Sequence, residues 1–246
     1  MEKIYVAPYT SSMNTEKIII ISVGGSMIVP NEIDTVFLTQ FKNLILDYTS
    51  RGFRFVLITG GGKTARRYQS AANQVTPLTN EDMDWLGIHT TRLNAHLLRS
   101  VFVHEAHPRI ITSPHDDIDW KESVLIGAGW RPGWSTDYVS VLLAKNLSIS
   151  TIINLSNIDY VYTADPRTHP KATKIETIEW KEFRTLIPTE WDPGLSSPFD
   201  PVAARECEKM NIEVVIMNGN NLDNVRAYLD NQTFIGTRIL PSSFMN

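Results

Sequence analysis

Two apolar runs, each cut off by consecutive glycines, constrain the fold of this chain most. Lys17 to Val23 ends at Gly24-Gly25-Ser26, and Phe53 to Thr59 ends at Gly60-Gly61-Gly62. Continuous apolar runs of this length read as strands buried on both faces of a parallel sheet. Between them, Asn31 to Arg51 carries Val36, Phe37, Phe41, Leu44, Ile45 and Tyr48 near helical spacing. The alternation continues. Helices are expected at Lys63 to Ala72, Asn80 to Glu105, Ser135 to Lys145, Asp200 to Met210 and Leu222 to Leu229, with a short one at Trp180 to Leu186. Strands are expected at Arg109 to Thr112, Ser123 to Ile126, Ile149 to Leu155, Ile212 to Met217 and Thr233 to Leu240. The stretch 166–198 is Pro-rich and less regular. Strands alternating with helices imply an α/β three-layer sandwich around a central, mostly parallel sheet.

The 246 residues suffice for one α/β domain or two lobes sharing a sheet, and any lobe boundary falls near residues 150–165. A net charge of −4 argues against nucleic acid as the main partner, but not against a nucleotide. The single cysteine, Cys207, rules out an internal disulfide and fits a reducing cytoplasm. The longest apolar run, Ile18 to Val23, is too short to cross a bilayer, so no membrane association is expected. No signal peptide is visible, and residues 1–16 read as an N-terminal extension.

Several motifs carry chemistry, each with a bland alternative. Gly24-Gly25-Ser26 sits where backbone N–H groups can approach a phosphate, or where a tight turn is needed. Gly60-Gly61-Gly62-Lys63-Thr64-Ala65-Arg66-Arg67 is more telling. Cations at a helix start oppose the macrodipole unless they meet an anion or point outward. It is no Walker A loop, because Leu57 stands where the first glycine belongs. Asp84 lies beside an apolar helical stripe, as a sugar-hydroxyl acceptor or as a helix-start acid. Trp130-Arg131-Pro132-Gly133-Trp134 precedes a Ser135-Thr136-Asp137 helix cap. Its aromatics and guanidinium suit a base and a phosphate, or equally a subunit interface. Asn157, Asp159, Tyr162 and Asp165 follow a strand end. The six histidines show no metal-ligand spacing, and no metal site is expected from side chains.

In combination and order, these stretches resemble the uridylate (UMP) kinases of the amino acid kinase family, in their archaeal form. The resemblance runs from about Lys17 to Leu240 and rests most on Asp84-Trp-Leu-Gly-Ile88 with Thr91-Arg-Leu-Asn-Ala95. It implies one kinase domain over 17–240, with an acceptor-binding part at about 17–150 and an ATP-binding part at about 151–240. It implies ATP with Mg²⁺, phosphorylation of UMP to UDP, and a homohexamer. Carried over by position, Gly61, Asp84 and the loop Trp130, Arg131, Pro132, Gly133, Trp134, Ser135 and Thr136 would hold UMP. Gly25, Gly62, Arg66, Ser156, Asn157, Tyr162 and Asp165 would hold ATP; the first glycine loop adds Gly24 and Ser26 as phosphate contacts, and Lys63 and Arg66 read as the catalytic cations. Two positions depart from the family pattern. Ser22 stands where many members carry a lysine, and Tyr160 where a glycine is usual. A kinase for another small acceptor and a non-catalytic nucleotide- or oxyanion-binding oligomer, of the molybdate-storage kind, are the alternative readings on the same fold.

Overall fold

A computed structural model describes residues 17–116, 119–190 and 197–241, so the expected extension at 1–16 lies outside the described residues. The strands are β1 (Lys17–Val23), β2 (Phe53–Thr59), β3 (Val124–Gly127), β4 (Thr151–Ser156), β5 (Val161–Tyr162), β6 (Lys174–Ile175), β7 (Thr177–Glu179), β8 (Glu213–Asn218) and β9 (Thr237–Leu240). The helices are α1 (Gly25–Ile28), α2 (Thr35–Ser50), α3 (Gly62–Val75), α4 (Asn80–Val101), α5 (Thr136–Asn146), α6 (Trp180–Phe183), α7 (Pro201–Met210) and α8 (Leu222–Leu229).

Seven strands form one sheet in the order β3-β2-β1-β4-β8-β9-β7. Neighbours run parallel except β8 and β9. β5 and β6 pair separately as a short antiparallel ribbon. The pleat divides β1 between two cores. Ile19, Ile21 and Val23 pack with α2, α4 and α8, whereas Ile20 packs with α5 and α7 on the other face. The unbroken apolar runs are thus explained: both faces of the central strands are covered.

From β1 the sheet grows outward through β2 and β3, while the later strands β4 and β8 are added on the other side. The carboxyl ends of β1 and β4 therefore flank a switch point, where open α/β sheets bind ligands. There the Gly24 N–H donates to the Leu155 carbonyl at 3.0 Å, fastening the first glycine loop to β4.

Most expected elements occur, with four differences. α2 begins at Thr35 rather than Asn31, because the Asp34 side chain accepts from the Phe37 N–H at 2.8 Å and caps the helix. Arg109 to Thr112 contributes only an isolated bridge, Ile111 to Gly127, instead of a strand. The last strand starts at Thr237 and not at Thr233. Asn224 clamps Ile235 on both sides, with Nδ2 donating to its carbonyl at 2.7 Å and Oδ1 accepting from its N–H at 2.6 Å, so that segment is held outside the ladder. Finally, the irregular 166–198 stretch contains β6 and the sheet's edge strand β7.

Candidate active site

The two glycine loops meet at the switch point with almost no space between them. A Cβ built on Gly25 would lie 2.2 Å from the Gly62 nitrogen, and one on Gly62 would lie 2.4 Å from the Gly25 carbonyl carbon. Gly62 also has φ +61°, in the left-handed region that favours glycine. This contact sets the start of α3 against the start of α1. The first N–H groups of α3 have no intrahelical partner, and the helix dipole makes that end attractive to an anion. Gly24 differs from expectation: its N–H is spent on Leu155, so it shapes the loop and is not free to bind phosphate.

Lys63 and Arg66 project from the first turns of α3 and are exposed. Lys63 Nζ donates to Asn31 Oδ1 at 3.0 Å, and Arg67 donates to the Asn31 carbonyl at 2.9 Å. Arg66 has no side-chain partner among the described residues. The unpaired guanidinium lines an open surface pocket with Lys63, Arg67, Ser70 and Gln74 and offers a fork of donors to an oxyanion.

α4 links this cradle to the tryptophan loop. Its Asn94 donates to the Gly60 carbonyl at 2.8 Å, and Thr59 Oγ1 donates to the Thr91 carbonyl at 2.8 Å. On the other side, Thr91 Oγ1 accepts from the Gly129 N–H at 2.8 Å, and Arg92 donates to the carbonyls of Gly129 and Trp130 at 3.2 and 2.8 Å. Near the start of the helix, Asp84 Oδ2 accepts from the Gly133 N–H at 2.6 Å. Burial pushes the Asp84 carboxyl above its ordinary range, and the Gly133 bond partly offsets this. Asp84 thus anchors the loop, in addition to any ligand role. Sequence reasoning passed over Arg92 and Asn94, although both fall inside the block that carries the family resemblance.

The loop itself is a stack. The Arg131 guanidinium lies 4.0 Å from the Trp130 ring centre, Trp130 and Trp134 are 6.2 Å apart, and Trp134 stacks on Tyr138 at 4.2 Å. Pro132 and Gly133 (φ +85°) turn the chain between them. Ser135 caps α5 by accepting from the Tyr138 N–H at 3.1 Å, which places Thr136 in the first turn.

Beyond β4, the Ser156 carbonyl accepts from the Gly219 N–H at 2.8 Å, and Asn157 is exposed. Asp159 accepts from Asn218 Nδ2 at 2.9 Å, tying the β4 and β8 exits together. Tyr162 lies on β5. Asp165 is held by Arg167, which keeps its exposed carboxyl below the usual range. The departing Tyr160 faces Lys174, whose Nζ is 4.8 Å from the ring centre. With Asn221, Phe234 and Arg238, Tyr160 also lines an open cavity of about 720 Å³.

One feature below the loops was not foreseen. Asp137, in the first turn of α5, accepts from Ser22 Oγ at 3.4 Å and Asn154 Nδ2 at 3.3 Å through Oδ1. Its Oδ2 accepts from the Asp200 N–H at 3.2 Å. The other departing residue, Ser22, is therefore the β1 partner of a carboxyl beneath the glycine cradle. Among the described residues, no group of three or more His, Cys, Asp or Glu side chains is arranged to hold a metal ion. No helix of the described residues is long and apolar enough to cross a membrane.

A mostly parallel sheet whose first two strands end in touching glycine loops, one opening a cation-bearing helix, belongs to an α/β protein of the kinase type. The chain belongs to the amino acid kinase family, whose model matches residues 17–218. It is 32% identical to the uridylate kinase of Hyperthermus butylicus, over 85% of this chain and 92% of that protein. It is 34% identical to the uridylate kinase of Methanococcoides burtonii, over 85% and 89%. The crystal structure of uridylate kinase from Archaeoglobus fulgidus superposes with a TM-score of 0.75 at 26% identity, over 91% of this chain and 99% of that one.

Proposed function

We propose that the chain transfers the γ-phosphoryl group of ATP to UMP, giving ADP and UDP for pyrimidine nucleotide synthesis. The observation that carries this reading is the glycine-to-glycine contact at the switch point, which sets the start of α3, with Lys63 and Arg66 on its first turns, against the first glycine loop. It is supported by uridylate kinases among the relatives over most of the chain's length. An oxygen of the UMP phosphate forms the bond to the γ-phosphorus, the bridging P–O bond breaks, and ADP leaves with the electron pair. The acceptor is already anionic, so no catalytic base is required. What the protein must supply is in-line alignment and positive charge on the equatorial oxygens.

In this assignment residues 17–150 form the acceptor half. Asp84 and the loop 130–136 hold UMP, with Gly61 at the cradle. Residues 151–240 form most of the ATP half, in which Ser156, Asn157, Tyr162 and Asp165 border the nucleotide. Gly25, Ser26, Gly62 and Arg66 meet the phosphates, where Lys63 and Arg66 stabilise the transition state. Mg²⁺ bound to ATP would neutralise phosphate charge. The location is cytoplasmic. The assembly is a homohexamer, a reading supported by Trp85 and Leu93, which lie eight residues apart on α4 and remain 37% and 64% exposed.

Phosphorus NMR of the protein with Mg-ATP and UMP tests the reaction: UDP and ADP signals should grow together. ATP and UMP binding without turnover would favour the non-catalytic reading, which the uncharged Ser22 beside Asp137 recommends as the alternative.

A further inference from the structure

We propose that Arg92 is a positioning residue for the acceptor side of the site. Its guanidinium fork clamps the start of the tryptophan loop onto α4, the helix that also carries the glycine cradle, and so fixes the spacing between loop and cradle. The kinetic consequence rests on reading that loop as the acceptor site, whereas the clamp itself does not.

α4 presents two adjacent tracks along its 22 residues. Gly87, Thr90 and Asn94 recur at i, i+3 and i+7 and meet the cradle. A Cβ on Gly61 would lie 3.4 Å from the Gly87 carbonyl oxygen and 3.7 Å from the Thr90 Cβ, and Asn94 donates to the Gly60 carbonyl at 2.8 Å. Asp84, Ile88, Thr91 and Arg92 form the second track and meet the loop. Gly129 lies so close to it that a Cβ there would stand 2.8 Å from Thr91 Oγ1 and 3.3 Å from the Ile88 Cα. Thr91 serves both tracks. Its carbonyl accepts from Thr59 Oγ1 just ahead of the cradle, while its hydroxyl accepts from the Gly129 N–H and donates to the Ile88 carbonyl at 2.7 Å. One continuous helix therefore sets the position of both loops.

Arg92 completes the second track with Nε on the Gly129 carbonyl at 3.2 Å and Nη2 on the Trp130 carbonyl at 2.8 Å. Carbonyls of successive residues in a strand point to opposite sides. A single planar fork that holds both requires the chain to leave the strand direction, and β3 has ended at Gly127. A lysine, a point charge on a flexible stem, lacks the fork to span the pair. Arg92 forms no ion pair among the described residues, so its donors are given to the loop backbone. Beyond Trp130 the loop runs through the Trp134–Tyr138 stack and returns to α4 where the Gly133 N–H meets Asp84. The loop is thus held at two points by one helix.

The test is Arg92→Met, which keeps an apolar stem and removes the fork. In the ligand-free full chain, amide hydrogen exchange over residues 128–135 should become about tenfold faster, while residues 59–62 keep wild-type protection. With Mg-ATP and UMP, the KM for UMP should rise about tenfold, with the KM for ATP and the melting temperature at wild-type values. Arg92→Lys should give an intermediate KM for UMP, and it carries both measurements should Arg92→Met fail to fold. Unchanged exchange over 128–135 would overturn the clamp. A lower melting temperature with an unchanged KM for UMP would overturn the positioning role and leave a packing one. A wild type that does not turn over UMP would contradict the acceptor reading alone, and the exchange result would still decide the clamp.

Discussion

In the proposed reaction, Arg66 is the side chain on which phosphate binding depends most. It is exposed, unpaired among the described residues, and carried on a helix start fixed by backbone contact between two loops. Arg66→Ala should lower kcat/KM by at least about tenfold, roughly 1.4 kcal/mol of transition-state stabilisation, while leaving the melting temperature unchanged. Steady-state kinetics on both substrates reads this out. Lys63 is held by Asn31, so its ammonium must leave that bond to reach a phosphate. Lys63→Ala should therefore reduce kcat with little effect on the fold. Asp137 gives the pH dependence a definite sign. Burial raises its folded pKa to about 7, well above the ordinary carboxylate range, so the folded state binds the extra proton in that interval. Stability is full below about pH 4 as far as this group is concerned, and is lost as pH rises through 7. Scanning calorimetry across that range should show a falling midpoint from this group.

The strand–glycine–helix junctions organise the site at the next scale. Gly62→Ala would put a methyl group 2.4 Å from the Gly25 backbone at a positive φ. It should destabilise the protein by about 1–3 kcal/mol for backbone strain alone and abolish turnover, as measured by denaturant titration and assay. Asp84→Ala should release the Gly133 end of the tryptophan loop, raising the KM for the acceptor more than it lowers kcat. These junctions were legible in the sequence, because a strand buried on both faces leaves a continuous apolar run and a glycine cluster ends it. The chain was less legible where side chains replace ladders. Asn224 fixes Ile235 in a loop that reads as strand, and β7 is too short to show periodicity in a Pro-rich stretch. The Asp137 cluster was equally hidden. Ser22, Asp137, Asn154 and Asp200 are scattered over 179 positions, and only the sheet order and α5–α7 packing bring them together.

At the scale of the whole molecule, one sheet carries both halves of the proposed reaction. The strands that grow outward from β1 through β2 and β3 present the α3 cations and the loop anchored by Asp84. Those on the other side, β4 and β8, present the exits where Ser156, Asn157 and Asp159 lie. Acceptor and donor are thus assigned to opposite sides of the crevice between β1 and β4, with the γ-phosphoryl group at the glycine contact. The whole account turns on the acceptor. The most direct measurement is ADP release from Mg-ATP in the presence of UMP, CMP, AMP or GMP at equal concentration. The account predicts that UMP supports the highest kcat/KM of the four. Equal turnover of all four, or turnover only with an acceptor that is not a nucleotide, would contradict it.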